Sequence, residues 1–178
     1  MQLNDFLDRD DSAFSEALAT ELCDFVKSLE EPLEGLALVA GDDCSVDYML
    51  IAYSPRSTDR SWKDRLTGER FDVASWTFES NSLPKTHELL DALNLRFRSI
   101  HPKNDEAIET DQAEDAHVAK LHRSILDGFK LAVLRDASLA SGNLFKTIYI
   151  SDSELKIDLV ASKELNSVAT HAMYRAWR

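Results

Sequence analysis

The sequence predicts a single α+β domain: a mostly antiparallel sheet, with a hairpin near 36–53 and strands near 144–160, packed by N-terminal, central and C-terminal helices. Two kinds of pattern carry that expectation. Apolar residues recur at three- and four-residue steps over long stretches, whereas two short, nearly continuous apolar runs flank a turn-rich pentapeptide. The 178 residues show no repeat, linker or low-complexity tract, which suits one core rather than two.

The first helix is expected from about Ser12 to Glu31, because Phe14, Leu18, Leu22, Phe25, Val26 and Leu29 share one helical face. Asp11 or Ser12 can cap its start, and Pro32 ends it, since the proline ring disfavours helical geometry in the residue before it. Leu36–Ala40 and Val46–Tyr53 then read as hairpin strands around Gly41-Asp42-Asp43-Cys44-Ser45, and their unbroken apolarity implies cover on both faces. From Ser54 to Ser82 the pattern weakens. Pro55, Gly68 and charges of both signs interleave with Trp62, Phe71, Trp76 and Phe78, as in a long excursion with a short helix and a solvated mixed-charge face.

Pro84 suits the first turn of a helix through Leu89, Leu90, Leu93 and Phe97 that stops before Pro102. The acidic run that follows, Asp105, Glu106, Glu109, Asp111, Glu114 and Asp115, contains no Lys or Arg and opens the next helix, where the dipole favours acids. That helix carries Val118, Leu121, Ile125, Phe129, Ala132 and Val133 on one stripe and is expected to stop at Gly142-Asn143. Leu144–Ser151 reads as a strand rich in β-branched and aromatic residues. Asp152-Ser153-Glu154 reads as a turn, Leu155–Val160 as a second strand by its alternation, and Ser167–Trp177 as the closing helix.

The net charge of −12, from 20 Lys and Arg against 32 Asp and Glu, repels phosphate backbones and points away from nucleic acid and toward a basic protein partner. Cys23 and Cys44 form no CxxC pair and are expected to be reduced thiols. No apolar run approaches the roughly 18 residues of a membrane span, and the start lacks the basic-then-apolar signature of a signal peptide, so a cytoplasmic protein without a membrane role is expected.

Motif chemistry is sparse. Gly35, Gly41, Gly68, Gly128 and Gly142 stand singly, so no loop of backbone N–H groups is arranged to cradle a phosphate. No Gly-x-Ser-x-Gly elbow or cysteine-protease string occurs. Glu114 and His117 lie one helical turn apart, which is half of a di-iron motif. The second half is missing, because His87 and Glu88 are adjacent, His101 precedes a proline, and His117 and His122 diverge on a helix. No metal and no cofactor are therefore expected. Carboxylate pairs for acid–base work form in space rather than in sequence; Asp42, Asp43 and Asp152 suit turns, and Trp62, Trp76 and Trp177 suit the core or its edge.

Three segments resemble the DUF4303 family: Phe71-Asp72-Val73-Ala74-Ser75-Trp76, Ile148-Tyr149-Ile150-Ser151-Asp152 and Ser162-Lys163-Glu164-Leu165-Asn166. The chain departs from that family at Phe71, where tryptophan is common, and at Ser167, where proline often follows the asparagine. The resemblance implies a compact α+β domain without established catalysis, of a kind similar to toxin-neutralising immunity proteins, and transfers no functional residue. The expected role is thus a non-enzymatic interaction protein, an immunity or inhibitor protein that meets a basic toxin-like partner with Asp105, Glu106, Glu109, Asp111, Glu114 and Asp115. The alternative is a small-molecule-binding or enzymatic domain with a pocket between sheet and helices.

Overall fold

The structure, a computed structural model, describes residues 3–9, 11–41, 45–56, 71–79, 82–101, 108–150 and 156–178. In chain order it contains α1 (Leu3–Leu7), α2 (Ser12–Ser28), β1 (Leu33–Ala40), β2 (Met49–Pro55), a 3-10 turn (Val73–Ser75), β3 (Thr77–Glu79), α3 (Pro84–Ile100), α4 (Ile108–Arg135), β4 (Phe145–Tyr149), α5 (Ile157–Leu165) and α6 (Val168–Trp177). The sheet has the order β3-β2-β1-β4. β1 pairs antiparallel with β2, from Leu36↔Tyr53 to Ala40↔Met49, and β2 pairs antiparallel with β3. β4 joins parallel to β1, Gly35↔Phe145 through Val39↔Tyr149. A parallel neighbour needs a long crossover, and the stretch carrying α3 and α4 supplies it. The fold is α+β with a mostly antiparallel sheet, as the sequence predicts.

β1 is covered on both faces. Leu36, Leu38 and Ala40 point into a core with Phe14, Leu18 and Leu22 of α2 and Leu121, Ile125 and Phe129 of α4. Ala37 and Val39 point the other way, into an aromatic cluster with Phe71, Val73, Trp76, Phe145 and Tyr174. Each fully buried aliphatic or aromatic side chain contributes roughly 1.5–3 kcal/mol, so the strand anchors both layers. Gly35 at its start has a specific reason: a Cβ there would stand 2.5 Å from Cη2 of Trp76, whose ring lies on the backbone. Gly41 ends the strand with φ of +57°, a left-handed turn that favours glycine.

Two expectations are corrected. The strand expected over Leu155–Val160 gives way to α5, which starts at Ile157; Leu155 lies outside the described residues. The alternation in that short window is also compatible with a helix, and the longer window decides, because Asp158, Ala161, Ser162 and Leu165 recur with helical spacing and are the buried positions of α5. Beyond its last turn, Asn166 takes the place of a neighbouring strand. Its Oδ1 accepts the Lys146 N–H at 2.8 Å and its Nδ2 donates to the Lys146 carbonyl at 2.6 Å, satisfying both backbone groups of Lys146 on the outer edge of β4. The central helix also stops early, at Arg135 rather than at Gly142-Asn143. The Asp136 carboxylate accepts from the Ser138 N–H at 2.9 Å, turning the chain and burying Leu139 before the strand begins. Among the described residues no helix is long and apolar enough to cross a membrane.

Candidate functional site

The acidic run meets the structure at the head of α4. Asp105 and Glu106 lie outside the described residues, while Glu109 and Asp111 fall in the first turn of the helix. Glu114 is half-buried and Asp115 exposed. Adjacent residues on a helix point about 100° apart, so these last two acids serve different hollows. Glu114 lines a cavity of about 90 Å³ with Asp47, Asn94, Arg98, His101 and His117. Asp115 lies at the mouth of a groove between α4 and α5.

The first base after the run, Lys120, does not offset this charge, because it is committed to the interior. Its Nζ donates to the carbonyls of Phe6 and Arg9, each at 2.7 Å, forms an ion pair with Asp11 at 3.3 Å, and lies 5.0 Å from the centre of the Phe6 ring. Side-chain exposure is 11% for Lys120 and 5% for Asp11, so this is a buried contact that fastens α1 to α4.

His117 is fixed one turn from Glu114. The Asn94 amide donates to the Val46 carbonyl at 2.9 Å, which turns Asn94 Oδ1 toward His117 Nε2, also at 2.9 Å. With that amide orientation, Nε2 carries the proton of the neutral ring and Nδ1 is a bare acceptor. The ring stacks on Phe97, with centroids 4.2 Å apart and planes at 11°. Burial, followed by the positive charges of Lys120 and Arg98, lowers its pKa to about 4. Among the described residues Nδ1 is buried without a hydrogen-bond partner, so the imidazole acts as a neutral post between α3 and α4. Among the described residues no group of three His, Cys, Asp or Glu side chains is placed to hold a metal.

The groove between α4 and α5 encloses about 780 Å³ over an apolar floor that includes Val118, Leu126, Ile157 and Val160. Its rim balances Asp115, Asp127 and Glu164 against Arg123, Lys130 and Lys156. Lys130 and Glu164 pair at 2.7 Å, and that hydrogen bond raises the Lys130 pKa. At about two-fifths exposure each, the pair contributes little to stability.

Sequence reasoning missed a cleft of about 460 Å³ at the corner between α2 and β1. Val26, Leu29, Pro32, Leu33 and Leu144 form its apolar walls, Glu30, Glu31 and Glu34 its carboxylates, and Arg56, Ser138, Ser141 and Asn143 the remaining polar lining. The only local sign was Glu30-Glu31 beside Glu34, which reads as the end of a helix. The opposing wall arrives more than a hundred residues later.

Other reactive groups are committed. Buried Asp158 accepts from the Tyr174 hydroxyl at 2.6 Å and from Arg178 Nε at 2.8 Å, and burial together with that bond pushes the phenol above its ordinary range. Cys23 is buried and its thiol is raised, chiefly by desolvation, so it is no ready nucleophile; Cys44 lies outside the described residues. Compared with protein-family models, curated proteins and solved structures, the chain shows no significant match to any of them.

Proposed function

We propose that the protein is a non-enzymatic interaction module, an immunity or inhibitor protein, that captures a basic protein partner with the acidic head of α4. The observation that carries this reading is the sequestration of Lys120. The acids from Asp105 to Asp115 are followed by a lysine that would neutralise part of them in a solvated helix, yet its ammonium is spent on Asp11 and two backbone carbonyls. The helix dipole offers only about half a positive charge at this end, and the chain as a whole carries −12. A basic partner therefore meets an attractive field with its focus at one end of a rigid helix. The groove beside Asp115 supplies an apolar floor on which such a partner can gain contact area after encounter.

The reading is tested by charge reversal. E114K/D115K is expected to weaken capture of a lysine-rich probe peptide by about tenfold, whereas D24K/D91K, with the same net charge and exposed acids on α2 and α3, is expected to weaken it much less. Equal losses in the two variants would assign the attraction to net charge alone.

A further inference from the structure

We propose that the cleft at the α2–β1 corner is a second, separate site, which binds an organic cation with an aliphatic stem: an alkylguanidinium or alkylammonium. Its volume of about 460 Å³ falls among small-ligand sites. The walls come from three parts of the chain, with Val26 and Leu29 at the end of α2, Leu33 at the start of β1, and Leu144 just before β4. Aliphatic surface of this kind takes methylene groups and does nothing for a bare ion.

The polar lining sets the sign of the head group. Among the described residues, Glu30, Glu31 and Glu34 face one lining cation, Arg56. Glu30 and Glu31 are exposed and take no hydrogen bond or ion pair among the described residues, and Glu34 is half-buried and accepts from the Ser54 hydroxyl at 3.3 Å. Lys146 stands behind the wall rather than in it: its ammonium donates to the carbonyls of Ser141 at 3.2 Å and Leu144 at 2.9 Å, which holds the loop that closes the cleft. The cleft therefore presents a surplus of acceptors beside an apolar slot, the complement of a cationic head on an aliphatic chain.

The same chemistry is offered by a free small cation and by an arginine or lysine side chain of a protein, and one titration separates them. The ¹⁵N-labelled full chain is titrated with agmatine, with guanidinium chloride, and with acetyl-Gly-Arg-Gly-amide, following the amides of Leu29, Leu33, Ser141 and Leu144. Agmatine is expected to saturate these shifts at least tenfold more tightly than guanidinium, and the isosteric variant E30Q/E31Q/E34Q is expected to lose at least fivefold in affinity while keeping the wild-type unfolding midpoint. Tighter binding of the peptide than of agmatine assigns the site to a protein side chain, and the reverse order assigns it to a free cation. The proposal is overturned if neither ligand moves these amides, if guanidinium binds as tightly as agmatine, or if the triple variant binds unchanged. None of these results bears on the α4 head, where no residue of the cleft lies.

Discussion

The head of α4 and the cleft at the α2–β1 corner are both acidic, but they are assembled in opposite ways. At the head of α4 the described acids Glu109, Asp111, Glu114 and Asp115 are neighbours in sequence on one helix, and the structure adds to them by burying the lysine that would offset them. At the corner three glutamates acquire their meaning only when Leu144, Ser141 and Arg56 arrive from elsewhere and wall the space beside them. Charge in water acts at long range, is screened by salt and mainly speeds encounter, whereas charge beside an apolar wall acts at contact and sets affinity. One acidic composition can thus serve two kinds of recognition, and what the fold brings beside the acids decides which.

The contrast is broken most strongly at Lys120. Lys120→Met keeps the aliphatic stem but leaves Asp11 buried without its cation and the Phe6 and Arg9 carbonyls without their donor. A loss of about 3–5 kcal/mol in denaturant unfolding is expected. A loss under 1 kcal/mol would mean that the lysine is not committed to the interior and that its charge is available to the acidic head.

Acid acts on the neighbouring α3–α4 contact through His117. The folded-state pKa of about 4 lies below the ordinary 6.5, so the unfolded chain binds the proton more readily between those values. Stability from the neutral ring is complete above pH 6.5 and is lost as pH falls through 6.5 toward 4, by roughly 3 kcal/mol in all. Comparing unfolding free energies at pH 7, 5.5 and 4 with those of His117→Gln isolates this contribution; parallel pH profiles in the two proteins would refute it.

Gly35 tests the corner from its structural side. Gly35→Ala places a Cβ against the Trp76 ring and is expected to cost roughly 1–3 kcal/mol, with a shift in tryptophan emission. The smallest effect is expected at Glu30→Gln, whose unfolding free energy should stay within about 0.5 kcal/mol of wild type. A large loss there would show that the cleft acids hold the fold together and are not reserved for a ligand.

Much of the architecture was legible in the sequence because its signals are local. The stripe from Val118 to Val133, Pro32 after the first helix, Pro84 at the start of α3, and the unbroken apolarity of β1 each name their element. Leu155–Val160 misled because six residues are too few to separate a period of two from one of 3.6, and the helical partners Ala161 and Leu165 lie outside that window. The acidic run was readable as charge. Its division between two hollows was not, since that depends on which neighbours stand at 100° to one another around α4. Lys120 could not be foreseen as buried because, among the described residues, two of its three partners are backbone carbonyls, which leave no trace in side-chain pattern. The cleft was invisible for the same kind of reason: Glu30 and Ser141 are joined only by the fold.

The central claim, that the head of α4 captures a basic partner, is tested most directly by the salt dependence of association. Stopped-flow rates for a fluorescent lysine-rich peptide would be measured between 50 and 300 mM salt with wild-type protein, E114K/D115K and D24K/D91K. The account predicts a steep fall of rate with salt for the wild type and D24K/D91K, and a distinctly shallower slope for E114K/D115K. Equal slopes for the two charge-matched variants would contradict it.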